Sequence, residues 1–197
     1  MADYATIEQL QERIATPLTG DALARFVDAL GEASAMVNDD TGRNFDPRAG
    51  VAKTFALQSR NDYTLKLPDF TAMTSLKVDD DDDGTFETTI AASGYELDKS
   101  SDDDGWPYDT VRLLDRCFPT GGRRVRRIEI TADWGWSAVP AGIVKATTIL
   151  AARIGGREGS SATGLQSFGG EGGGAYIRTN DPDYSHAIAR YRRPQVA

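Results

Sequence analysis

An α+β fold follows from three features of the sequence. Apolar residues recur at helical spacing near both ends of the chain, over 7–37 and 139–154. Between about Val51 and Asp133 the period falls to two. The return to helix runs through a Trp-Gly-Trp corner that ends in Val139-Pro140. The organisation predicted is a small helical bundle from residues 1–50 and 134–197, interrupted by an antiparallel β-rich insertion at 51–133. A flexible Gly-rich loop and a C-terminal arm complete it.

The N-terminal elements are helical. Thr6-Ile7-Glu8-Gln9 has the form of a capping box, and Ile7, Leu10 and Ile14 share one face of the short helix that follows. Pro17 and Gly20 separate it from a second helix capped by Asp21. There Leu23, Phe26, Val27, Leu30, Ala33 and Val37 form a stripe expected to be buried, and Gly42 is placed for a left-handed C-cap. Residues 43–47 read as an irregular connector.

Strands are predicted at 52–57, 64–67, 75–78, 85–90, 95–97, 110–114 and 126–132. Turn residues lie between them, among them Pro68-Asp69, Asp83-Gly84 and Asp104-Gly105. Many short strands with frequent turns predict a small sandwich or barrel-like unit. Pro140 then suits a first helical turn, because its missing N–H has no acceptor there. Val139, Ile143, Ala146, Ile149, Leu150 and Ile154 mark the buried face, and Gly155-Gly156 are expected to end the helix. Residues 155–174 are rich in glycine and serine, which bury little and are costly to order, so a mobile loop is predicted. Ala175–Arg178 reads as a short extended segment. Asp181-Pro182-Asp183 caps a last helix over about 184–191.

The chain has 197 residues, a net charge of −8 and one cysteine. That length fits one domain or one domain with a sizeable insertion. No stretch approaches the ~20 apolar residues of a membrane span, and the N-terminus lacks the basic and apolar regions of a secretory signal. A lone Cys117 excludes a disulfide framework and a multi-cysteine metal site, and it reads as a small strand hydrophobe. Charge is uneven: residues 76–105 carry a net of −9 and residues 106–197 a net of +5. A general nucleic-acid binder would be basic throughout its domain. This pattern fits two faces meeting different neighbours, and equally an acidic solvated loop.

No constellation of catalytic residues emerges. Asp79-Asp80-Asp81-Asp82-Asp83-Gly84 copies the first half of a calcium loop, but its twelfth position is Ile90 instead of glutamate, and Glu87 stands at the ninth. It reads as a solvated hairpin turn, as does Ser100–Gly105, and no metal or cofactor is expected. His186 is the one histidine, and no serine or cysteine near it in sequence suggests a triad. Gly169–Gly174 lacks the Lys-Ser/Thr of a phosphate loop. The Arg123–Arg127 run heads a strand, where charges guard an edge. Trp106, Trp134 and Trp136 read as core or interface anchors, since no basic residues interleave with them.

Four pieces, in order, resemble the head-to-tail connector proteins of tailed siphophages, those of actinobacteriophages in particular. They are Ala33–Val37 with Thr41-Gly42-Arg43-Asn44-Phe45; Asp83–Glu87 with Gly94–Leu97; Trp134-Gly135-Trp136-Ser137-Ala138-Val139-Pro140 leading into an apolar helix; and Asp181-Pro182-Asp183 with Tyr191-Arg192-Arg193. The resemblance makes Arg43, Phe45, Trp134, Trp136 and Pro140 the motif core. It implies a bundle of connector type carrying a β insertion, and a structural virion protein with no enzyme activity.

The implied role is a head-to-tail adaptor. Twelve copies would form a ring under the portal protein ring, extend the DNA channel without sequence-specific binding, and offer a surface to a stopper or tail-terminator protein. The implied location is the virion neck, after assembly in the host cytoplasm, with no membrane contact. The C-terminal segment would dock on the portal through Tyr184, Ile188, Tyr191, Arg192 and Arg193; the alternative is that its helix packs back on its own bundle as the final core helix. A tail terminator or another neck or tail component is the alternative.

Overall fold

The computed structural model describes residues 3–57, 63–120, 122–159 and 181–193. The fold is α+β, and the chain divides into two compact units, residues 1–43 with 139–197 and residues 44–138. The second is wider at both ends than the 51–133 read from periodicity. Its first strand begins at Arg48, and the Phe45 and Trp136 rings, one from each end, pack with centroids 5.3 Å apart.

The helical unit contains α1 (Ile7–Ile14), α2 (Gly20–Thr41), α3 (Ala141–Gly159) and α4 (Pro182–Ala189). Thr6 and Gln9 form the reciprocal capping box, with the Gln9 N–H donating to Thr6 Oγ1 at 3.3 Å and the Thr6 N–H to Gln9 Oε1 at 2.9 Å. Helix α2 starts earlier than its predicted cap at Asp21. Thr19 is the N-cap, its carbonyl accepts the Leu23 N–H, and Asp21 falls in the first turn. The helix ends at Gly42, whose φ of 65° is the left-handed conformation glycine adopts without steric cost. The inward stripe holds Phe26, Ala29, Leu30, Ala33 and Val37, but Val27 is 44% exposed. Val27 lies on the flank of the helix, outside the arc that Leu30 and Val37 bury.

Helix α3 opens on the Pro140 carbonyl, which accepts the Ile143 and Val144 N–H groups at 2.9 and 3.0 Å. It does not stop at Gly155-Gly156 but runs on to Gly159. Gly155 is a packing residue: a Cβ there would lie 2.4 Å from Phe26 Cδ1, so its bare backbone lets the Phe26 ring close in. Arg25 Nε also donates to the Gly155 carbonyl at 3.0 Å. These contacts offset the cost of glycine within a helix. Most of the predicted Gly-rich loop, and the extended segment after it, lie outside the described residues.

The β unit is one antiparallel sheet in the place of the expected sandwich or barrel. Its strands are β1 (Arg48–Phe55), β2 (Thr64–Val78), β3 (Thr88–Ile90), β4 (Tyr95–Asp98), β5 (Tyr108–Leu113) and β6 (Ile128–Trp134). Their order is β1-β6-β2-β5-β4, with β3 paired to β2. The two strands predicted at 64–67 and 75–78 are a single strand, β2. Pro68 and Asp69 form no turn; they sit where the register with β5 shifts between Lys66 and Phe70. A proline, having no N–H, is tolerated where the ladder is broken. Beyond that break β2 pairs with β6 from Phe70 to Val78. Thus β2 joins both halves of the sheet, and Leu65, Phe70, Leu76, Val111, Leu113, Ile130 and Trp134 share one core. Cys117 lies outside every strand and is exposed, so it is not the strand hydrophobe expected.

Candidate functional site

The aromatic corner is a closed structural knot within the β unit. Gly135 adopts a φ of +89°, and a Cβ there would fall 2.2 Å from the Asp46 carbonyl oxygen. Both the turn and the close approach therefore demand glycine. The Gly135 N–H donates to the Asp69 carbonyl at 2.7 Å, and Trp136 Nε1 donates to Asp69 Oδ2 at 3.0 Å. Trp134 Nε1 donates to the Val51 carbonyl at 2.7 Å, while Lys53 Nζ lies 4.4 Å above the Trp134 ring. Burial, with the charge of Arg48 nearby, pushes the Lys53 ammonium below the usual lysine range. Trp106 meets Trp136 edge to face at 4.9 Å. Phe45, Trp134 and Trp136 are all buried here, so the corner organises the core and offers no stacking platform. Sequence reasoning missed Asp69, which is 3% exposed, because it read as a turn residue beside Pro68. Its place between the apolar Leu67 and Phe70 was the one signal that it points inward.

The remaining motif residues belong to the helical unit. Arg43 is buried, with Nε donating to the Tyr191 carbonyl at 2.7 Å. Pro140 opens α3. The C-terminal stripe follows the second of its two readings, a helix packed on its own bundle. Tyr184, Ile188 and Tyr191 are 7%, 0% and 7% exposed and form part of the helical unit's own core. The Tyr184 hydroxyl donates to Asp40 Oδ2 at 2.5 Å. Burial first, then the Asp40 carboxylate, hold that phenol above the ordinary tyrosine range. Asp181 caps α4 through the Asp183 and Tyr184 N–H groups and pairs with Arg153. The Arg193 N–H donates to the Thr41 carbonyl at 2.9 Å. The stripe therefore already has a surface, which corrects the picture of a free docking arm. Of the five proposed docking residues, Arg192 is the exposed one.

The acidic turn and the basic run are partners. Asp79 is buried, and its two carboxylate oxygens accept the Asp82 and Gly84 N–H groups at 2.7 and 3.0 Å. Arg127 reaches back to the Asp79 and Asp80 carbonyls at 2.9 and 2.8 Å. The Arg123 and Arg124 N–H groups donate to Asp82, and Arg116 pairs with Asp80. Strand β6 begins at Ile128, so this run precedes the strand and clamps the turn, which corrects its reading as an edge guard. The Arg116 guanidinium holds the Asp80 carboxyl below the usual range, and the two backbone N–H groups do the same for Asp82. Asp83 is lowered by the Thr85 hydroxyl and N–H. Asp79, Asp81, Asp83 and Glu87 place one carboxylate oxygen each within 4.8 Å of one another. Oxygen ligands so arranged suit a hard cation, yet Asp79 already spends its oxygens on the backbone. His186 is exposed and stands in no nucleophilic arrangement among the described residues.

Three solved structures share this fold along essentially the whole chain. A chain in the neck of an empty GTA particle, computed with C6 symmetry, superposes with a TM-score of 0.60 at 21% identity, covering 100% of this chain and 95% of that one. A chain in the neck of the native GTA particle, computed with C12 symmetry, gives 0.57 at 20% identity, with 100% and 94% covered. A chain in the virion of the native gene transfer agent gives 0.58 at 25% identity, with 96% and 89% covered. No protein-family model matches the sequence, and no curated protein does.

Proposed function

We propose that this chain is a structural component of the neck of a tailed particle, and within it the head-to-tail adaptor. The observation that carries the reading is the extent of the likeness. Both units, the bundle and the sheet, are covered together by a neck chain of nearly equal length. The sixfold and twelvefold symmetries of the compared necks favour a ring of copies beneath the portal, with DNA passing through it. The four ordered sequence motifs favour the adaptor position over that of a tail terminator.

The portal contact begins at Arg192 in this reading, with Tyr184, Ile188 and Tyr191 acting as the anchor that fixes its origin. Tyr and Arg make effective interface residues, but a side chain spent on its own core is not available to a partner. Electron microscopy of particles carrying a labelled copy tests the assignment. Density for the label in a ring between head and tail is the expected result. Label distributed along the tail or absent from the particle overturns it.

A further inference from the structure

Helix α2 carries a second pattern, on the side away from its core. Asp21, Asp28, Glu32 and Asp39 are all exposed and follow one another at intervals of seven, four and seven. At ~100° per residue they fall within about 40° of one line, opposite Leu30 and Val37, and the line runs ~27 Å along the helix. None of the four has an ion-pair partner among the described residues. Arg25, the single cation of α2, is turned to the Gly155 carbonyl.

The same unit offers a groove of net positive charge, with Arg13 and Lys145 against the one carboxylate of Glu12. This groove, of about 600 Å³ between α1 and α3, is lined by Gln9, Glu12, Arg13, Val144, Lys145 and Thr148, among others. Arg13 and Lys145 are exposed and likewise have no ion-pair partner among the described residues. Each copy therefore holds both halves of a complementary pair. Two different patches meeting head to tail make a heterologous contact, which is the kind that closes into a ring. Stripe against stripe would oppose like charges, and duplex DNA would be repelled by the stripe. The Arg123–Arg127 run is the weaker complement: the Arg127 guanidinium is spent on the Asp79 and Asp80 carbonyls, Arg126 donates to the Thr54 carbonyl, and the Arg124 charge lies beside Asp82 and Asp83.

We propose that the acidic face of α2 in one copy seats on the α1–α3 groove of the next, with Asp28 and Glu32 meeting Arg13 and Lys145. The inference rests on the ring reading above. Two full-length variants test it in cells that make the particle without a wild-type copy: Asp28→Lys with Glu32→Lys, and Arg13→Glu with Lys145→Glu. Each alone is expected to lower the number of necks bearing the ring by at least ~10-fold, because charge reversal opposes like charges at every contact. Co-expressing the two is expected to restore rings, since an alternating arrangement pairs every reversed stripe with a reversed groove. Undiminished rings from either variant, or no restoration by the mixture, overturns the proposal. A Glu32→Cys, Lys145→Cys, Cys117→Ser chain gives an independent reading if a charge variant fails to fold. Oxidation of assembled necks should yield a ladder of covalent multimers, and rings without that ladder overturn the proposed contact while leaving the ring itself. Wild-type particles with no ring at all overturn the ring reading, and this inference falls with it.

Discussion

Asp69 and Trp136 are joined inside the β unit by a hydrogen bond of 3.0 Å from the indole N–H to the carboxylate, and the Asp69 carbonyl takes the neighbouring Gly135 N–H at 2.7 Å. One residue of β2 thus fixes the corner through which the chain leaves the sheet. The corner's shape depends on this buried polar link as much as on its aromatic rings.

Asp69→Ala is expected to destabilise the protein by about 1–3 kcal/mol, because a buried indole N–H loses its acceptor. Asp69→Asn keeps an acceptor and should cost less. Gly135→Ala is expected to cost more than either Asp69 change. Its φ of +89° disfavours any side chain, and the added carbon would meet backbone that has no rotamer to yield. Urea denaturation of the three full-length variants checks the order.

The two glycines near the end of α3 separate packing from propensity. Gly155→Ala drives a carbon to 2.4 Å from the Phe26 ring and should destabilise, by about 1–3 kcal/mol as an overpacked site. Gly156→Ala meets nothing within 4 Å and should stabilise by up to ~1 kcal/mol through helix propensity. Melting curves of the pair should shift in opposite directions. Equal shifts would mean that the Phe26 contact carries no weight.

These positions show what was legible in the sequence. Most signals written within a few residues were read correctly, among them the Thr6 box, the Gly42 cap, the Asp181 cap and the β-to-α corner at Trp134–Pro140; the Asp21 cap was not, since Thr19 holds that position. What failed were readings that depended on a partner far along the chain. Gly155-Gly156 looked like a stop until Phe26 was placed against it. Pro68-Asp69 looked like a turn because nothing local says that β2 changes partner there, from β5 to β6. The Tyr184, Ile188 and Tyr191 stripe announced an apolar face but not the surface that would cover it. The acids on α2 were equally plain in the sequence. Their common line emerges only once the helix is phased by its buried residues.

The ionisable groups make stability fall at both extremes of pH. Asp80, Asp82 and Asp83 have carboxyl groups held below their ordinary values, so their contribution is present above the unfolded range near 4. It is lost as the pH drops through their lower folded values. Tyr184 is raised, so its neutral form is favoured by the fold, and its contribution is present below about 10 and lost as pH climbs above that. Asp82→Asn should flatten the acid limb and Tyr184→Phe the alkaline limb of a stability–pH profile. An acid limb unchanged in Asp82→Asn would mean that the Arg123 and Arg124 N–H groups do not favour its charged form.

Removal of residues 181–197 distinguishes a core helix from a docking arm. Helix α4 contributes Ile188 at 0% exposure and Tyr184 at 7%, and Tyr191, just beyond the helix, is also 7% exposed. Gly142 of α3 lies so close that a Cβ there would be 3.1 Å from the Ala187 carbonyl oxygen and from Tyr191 Cε2. Each large apolar side chain so buried contributes about 1.5–3 kcal/mol, and the deletion also strips the Arg43 guanidinium of its Tyr191 acceptor. The truncated protein should therefore lose several kcal/mol of stability, a large share of what a domain of this size holds. Ile188→Ala alone should cost about 2–5 kcal/mol. Arg192→Ala lies outside this packing and should leave the denaturation midpoint within about 0.5 kcal/mol of wild type. If the portal contact begins at Arg192, that variant should nevertheless join heads less readily. A truncation that melts unchanged would show that α4 is not part of the core, whatever it does at the head.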